Sequence, residues 1–103
     1  MNLEFLKSDD AIVGILKIRL VIRSAHTLKD KRRIIKSLKD RIKNKFNVSI
    51  SEIGTVDHCQ YARLGIAMVG NDKKYLNGTL LSLLNMFRAA VSVELVDHHL
   101  EFI

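Results

Sequence analysis

Proline is absent from the chain, and neither a low-complexity run nor a linker divides its 103 residues. That length suits one domain with a single core and is too short for two. Residues 11–103 are read as that domain and residues 1–10 as an extension, to which Leu3, Phe5 and Leu6 would give the makings of an added edge strand. Cys59 is the sole cysteine, which excludes an internal disulfide. Neither a CxxC nor an HxxxH spacing occurs, so no metal site is expected. Paired carboxylates and a glycine-rich phosphate loop are also missing, and Cys59 has no base of known geometry. Neither catalysis nor a cofactor is expected. No stretch reaches the roughly 18 uninterrupted apolar residues of a membrane span. The best, Ala11 to Ile22, is broken by Lys17 and Arg19. The opening MNLEFLKSDD has neither the basic segment nor the small-residue cleavage site of a signal peptide. The expected location is the cytoplasm, with no membrane partner.

Acid is scarce in one place above all. Between Lys17 and Lys45 lie twelve basic residues, offset only by Asp30 and Asp40, a local net charge of +10 in a chain of net +6. Charge clustered in this way attracts polyanions in a salt-dependent manner. Aromatic anchors for a membrane surface are lacking there, since only Phe46 ends the segment. The composition therefore favours nucleic acid.

What is present is well patterned. A hydrophobic share of 48% with clear periodicities excludes disorder. Residues 12–23 alternate: Ile12, Gly14, Leu16, Ile18, Leu20 and Ile22 on one face, Lys17, Arg19 and Arg23 on the other. Thr27 and Asp30 form an approximate capping box, opening a helix whose apolar stripe is Leu28, Ile34, Ile35, Leu38, Ile42 and Phe46. Asn47 is the expected left-handed terminator. Strands follow over 48–56 and 60–70, joined through Asp57-His58-Cys59. Asn71 or Asp72 caps a second helix with the stripe Leu76, Leu80, Leu83, Leu84 and Phe87, weakened at Gly78 by about 1 kcal/mol relative to alanine. A β-rich tail begins at Val91. The order β-α-β-β-α-β is the split βαβ pattern of an α+β, ferredoxin-like fold. It predicts a four-stranded antiparallel sheet in the order 4-1-3-2, with both helices on one face.

Projected at 100° per residue, Arg32, Lys36, Lys39 and Lys43 form a ridge along one flank of the first helix, about 20 Å long, with Lys29 and Arg33 nearby. Only Asp40 interrupts it. Lys29, Lys31, Arg32 and Arg33 crowd a helix start whose dipole favours negative charge, a placement suited to phosphate. Lys31 projects onto the apolar face, where it either snorkels or meets an anion. The plain alternative is a solvated, lysine-rich helix that supports solubility.

The sheet face away from the helices would present Lys17, Arg19, Arg23, Arg63 and Tyr61 among Val13, Ile15, Val21, Ala67 and Val69. Only Tyr61 can stack a base, and no RNP1-type motif is present, so a conventional RNA-recognition sheet is not expected. A mixed apolar and basic face more often joins copies of a chain. The pairs His58-Cys59 and His98-His99 point to opposite sides of any strand they occupy, so each offers at most one inward ligand. His26 stands beside the cationic helix start, where a turn histidine most often satisfies the backbone.

The stretch AHTLKDKRRIIKSLKDRIKNKFNVSISEI resembles the YlxP-like family of small bacterial proteins of unknown function. The residues that carry the likeness are His26, Thr27, Leu28, Lys29, Asp30, Lys31, Arg32 and Arg33, then Lys45 through Ile50. The segment QYARLGIAMVGND continues it. The resemblance implies a ferredoxin-like fold and a ribosome- or RNA-linked role, and brings no catalytic residues with it. The threonine and aspartate of the capping box and the N-terminal extension depart from the family pattern.

The resulting expectation is binding to RNA or a ribosomal particle. Lys29, Arg32, Lys36, Lys39 and Lys43 would contact phosphates, and His26, Lys31 and Arg33 would form an anion pocket at the helix start. The rival expectation is a homo-oligomer built on the open sheet face through Val13, Ile15, Arg19, Val21, Tyr61 and Val69. An enzyme or small-anion binder acting at the helix start is the weakest class.

Overall fold

A computed structural model describes residues 11–55 and 57–103. The extension and its suggested edge strand lie outside these residues. The elements run β1 (Ile12–Val21), α1 (Leu28–Lys45), β2 (Ser49–Glu52), β3 (Tyr61–Gly70), α2 (Lys73–Ala89) and β4 (Glu94–Phe102). They form one antiparallel sheet in the order β2-β3-β1-β4, the ferredoxin-like arrangement that the alternation and helical spacing predict.

The core follows from the two periodicities. Leu16, Ile18 and Leu20 of β1 and Ala62, Leu64, Ile66 and Met68 of β3 are buried together with Ile35, Leu38 and Ile42 of α1 and Leu76, Leu80, Leu83, Leu84 and Phe87 of α2. Alternate residues of β1 and β3 meet the helix stripes, and among the described residues one face of the sheet has no helix over it. Gly14 lies where α2 packs closely on the sheet. A Cβ built there would stand 2.6 Å from Leu80 Cδ1 and 3.2 Å from Phe102 Cε1. Any side chain would push both from their places.

Both helices start on side-chain caps. Thr27 Oγ1 accepts from Asp30 N, while Asp30 Oδ2 accepts from Thr27 N and His26 N. Asp72 caps α2 by accepting from Lys74 N and Tyr75 N. The end of α1 differs from expectation. Phe46 is the cap, extended at φ −127°, with its N–H bonded to Ile42 O at 2.8 Å. The only described non-glycine residue with positive φ is Thr55, so Asn47 is not a left-handed terminator. The chain passes straight from the helix into β2, with Phe46 half-buried against the core.

β2 is also shorter than the predicted 48–56. Gly54 at φ 67° and Thr55 at φ 54° turn the chain away after Glu52. Positive φ is unfavourable for a β-branched residue and needs support from its surroundings. Thr55 has that support: its Oγ1 accepts from Arg63 N at 3.0 Å, and its carbonyl accepts from His58 N and from Lys31 Nζ. On the far side of the sheet, β4 shifts register against β1 between Arg19 and Leu20, leaving Val96 as the extra residue of a bulge.

Candidate nucleic-acid interface

The groove beside α1 begins with helical geometry. Positions 32, 36, 39 and 43 recur on the flank next to the buried stripe, and α1 lies over β2, an edge of the sheet. Arg32, Lys36, Lys39 and Lys43 therefore line one groove of about 300 Å³, with Ile35 beneath them and Glu52 at the strand side. All four residues read as the ridge are brought together here. Among the described residues Arg32, Lys39 and Lys43 have no carboxylate within ion-pair distance. Lys36 does: its Nζ lies 2.9 Å from Asp40 Oδ2, both well exposed. The Lys36 hydrogen bond, aided by the charges of Lys36, Lys43 and Lys39, holds the Asp40 carboxyl below the ordinary aspartate range. The one acid on the ridge thus stays ionised even in moderately acidic solution.

The helix start is arranged otherwise than expected. Lys31 is only 1% exposed, the one charged residue buried among the described residues. Its Nζ donates to Glu52 Oε2 at 2.8 Å, to Thr55 O at 2.7 Å and to Tyr61 O at 3.0 Å. Three protons meet three acceptors, so no donor remains for an external phosphate. The anion that Lys31 needed is supplied from within the chain. Arg33 pairs with Asp30 across 3.4 Å, and His26 is exposed with its backbone N–H bonded to Asp30. The negative charge favoured by the helix dipole is accordingly the Asp30 carboxylate itself. His26, Lys31 and Arg33 do not converge on a pocket, because Asp30 already occupies that place and Lys31 points inward.

The Asp30 carboxyl is held below its ordinary pKa of 3.8, chiefly by the His26 backbone N–H, with further help from Thr27 and the Arg33 charge. A carboxylate whose pKa falls on folding adds stability above its unfolded pKa, and that contribution is lost as pH falls through the folded value. Asp30→Asn should therefore flatten part of the acid limb of the stability curve below about pH 4, measured by thermal melts across pH. An identical acid limb in both proteins would remove Asp30 from that role.

The open face divides into two ends. Val13 pairs with Val69 and Ile15 with Ala67 at one end; Arg19 pairs with Arg63 and Val21 with Tyr61 at the other. The six residues grouped as one interface thus fall into an apolar set (Val13, Ile15, Val69) and a basic, aromatic set (Arg19, Val21, Tyr61). Val69 is 69% and Tyr61 53% exposed. Two participants escaped sequence reasoning. Glu52 was legible, since alternation from buried Ile50 points it inward towards Lys31; the carbonyl of Thr55 was not, because it depends on an uncommon backbone angle. Among the described residues no cluster of three or more metal-ligating side chains occurs, and no helix is long and apolar enough to cross a membrane.

Fold and surface together define a small ferredoxin-like α+β domain with a cationic groove on its helical side. The chain belongs to the family described as protein of unknown function DUF503, whose pattern matches residues 13–100. It is 42% identical over 62 residues to the uncharacterized protein YlxP of Bacillus subtilis (strain 168), covering 60% of this chain and 67% of that one. Among solved structures it is similar to the de novo designed protein Foldit4, with a TM-score of 0.52 at 13% identity, over 90% of this chain and 96% of that one. That likeness concerns the fold alone.

Proposed function

We propose that this protein is a cytoplasmic, non-catalytic module that binds RNA or a ribonucleoprotein surface through the groove beside α1. The observation that carries the reading is the convergence of Arg32, Lys36, Lys39 and Lys43 on one groove, three of them without a carboxylate partner among the described residues. Like charges at i, i+4 repel along a helix, so such a row is a small local cost that a polyanion would relieve. Lys29, exposed at the first turn, extends the row. His26 and Arg33 flank its start, and Lys31 supports the fold. The contacts are of the phosphate kind, which position a nucleic acid without reading its bases. The test is binding of ribosomal RNA and of 30S subunits at two salt concentrations, with a charge-reversed groove as the control.

A second reading rests on the apolar end of the open face. Val13, Ile15, Ala67 and Val69 form a patch that neither α1 nor α2 covers, which supports self-association there. If so, Ile15→Asp or Val69→Asp should convert an oligomer into monomers in sedimentation velocity; a wild-type protein that already sediments as a monomer would refute it.

A further inference from the structure

The basic end of the open face carries a built concavity that the groove beside α1 does not use. Its volume is about 480 Å³, and its lining includes Arg19, Arg63, Tyr61, His58, Val21 and Val96. Two irregularities of the backbone raise its walls. On one side the loop after β2 turns up through Thr55 at φ 54°, bringing His58 against Tyr61 edge to face, at 5.7 Å and 83°. On the other, the bulge in β4 leaves Val96 unpaired and lining the concavity. Bulges and strained residues of this kind recur beside ligand sites. The Lys31 ammonium fixes the first wall from behind, through the carbonyls of Thr55 and Tyr61.

The floor between the walls is electrostatically unsatisfied. Arg19 and Arg63 stand directly opposite one another on β1 and β3, an arrangement of like charges that destabilises a sheet. Among the described residues neither has a carboxylate within ion-pair distance. Asp97, the β4 neighbour of Arg19, instead accepts a hydrogen bond from His98 N. A smaller depression of about 130 Å³ continues past the two arginines to Lys17 and His99. Arg63 Nη1 rests beside Gly54 of the loop after β2, and rotation of two side chains about 5 Å apart at Cβ brings both guanidinium groups onto a single phosphate, each offering a fork of N–H donors. Tyr61 precedes Arg63 by two residues on the same face, about 7 Å along the strand. That distance is spanned by a ribose between a base and its phosphate.

We propose that this trough binds a nucleoside phosphate, its base against Tyr61 and His58 and its phosphate between Arg19 and Arg63. One aromatic platform serves one base, which distinguishes the site from sheets that stack several. A second copy of the chain seated here about a two-fold axis would press each arginine pair against its own counterpart, so the small anion is the better occupant. The site is independent of the groove beside α1 and lies on the opposite face.

The test is an NMR titration of the full chain with AMP, GMP and UMP, and separately with inorganic phosphate and with adenosine. Saturable shifts centred on Val21, Tyr61, Arg63 and Val96 are expected with the nucleotides. Stacking and the paired arginines each contribute enough that adenosine or phosphate alone should bind at least about tenfold more weakly. Tyr61→Ala and Arg63→Ser, checked for folding by their amide dispersion, should each weaken nucleotide binding by about the same factor. No saturable shift with any nucleotide overturns the proposal. Phosphate binding as tightly as AMP, with Tyr61→Ala without effect, overturns it too, leaving only an anion contact. A wild-type dimer that buries these same residues also overturns it. A single-stranded tetranucleotide, added to protein with Arg32, Lys36, Lys39 and Lys43 changed to Glu, identifies the source. Much tighter binding than AMP upholds the proposal for a nucleotide within a chain, and equal binding upholds it for a free one.

Discussion

Lys31→Met is expected to lower stability by about 3 kcal/mol, because removing one partner of a buried pair strands the other. Glu52 is the stranded partner, with a side chain only 19% exposed, and the carbonyls of Thr55 and Tyr61 lose their donor as well. For a domain near 100 residues, about 3 kcal/mol corresponds to a fall of roughly 15 °C in Tm. Methionine preserves most of the buried length, so little of the loss would come from a cavity. Adding Glu52→Gln to Lys31→Met should restore part of the stability, since removing both charges is far less costly than removing one. Thermal melts of the two variants decide the matter. A single variant that melts within a few degrees of wild type would mean that water, not the chain, solvates this ammonium. The result also separates two roles for Lys31. Weaker RNA binding with unchanged stability would identify an external anion contact; lower stability with RNA binding intact at low temperature would identify an internal staple.

Charge reversal of the groove is expected to have the largest effect on function. With Arg32, Lys36, Lys39 and Lys43 all changed to Glu, binding to ribosomal RNA should fall below detection. Wild-type affinity should be steeply salt-dependent. Four phosphate contacts give a log–log slope of about −3, hence a loss of roughly 60-fold between about 50 and 200 mM salt. Each single neutralisation should reduce that slope by roughly one, whichever RNA is used, since phosphate contacts are indifferent to sequence. Lys36→Gln should reduce it least, because Lys36 already pairs with Asp40. Stability should change little, the four side chains being outside the core. Equal and negligible RNA binding by wild type and variant would make the groove a solvated surface and leave self-association as the leading account.

How much of this was legible in the sequence depended on whether the determining interactions are local. The ridge was readable because helical periodicity alone places 32, 36, 39 and 43 on one flank. The strand faces were readable for the same reason, and Thr27 declared its cap through Asp30. That the ridge would border a groove was not readable, since this requires knowing that α1 lies over the β2 edge. The fate of Lys31 was half readable: its position on the apolar face signalled a conflict, and the inward alternation of Glu52 held the answer. The boundary of β2 was not readable, because the turn depends on Thr55 adopting an angle that its side chain disfavours, held there by hydrogen bonds from distant Arg63 and Lys31. The division of the open face into two ends was not readable either, because alternation reveals which side a residue is on, not which neighbours surround it.

The placing of β1 has a consequence for synthesis on the ribosome. This strand is made early, yet both of its neighbours, β3 and β4, come after the whole of α1, and Gly14 finally pairs with Phe102. Until β4 emerges, a strand rich in Leu and Ile has an unpaired edge, the condition that invites intermolecular pairing. A nascent chain halted before Glu94 would hold β1 half-dressed, with β3 on one side and its β4 partner still missing from the other. Completion of this sheet therefore waits on β4, the described strand that follows all the others in sequence.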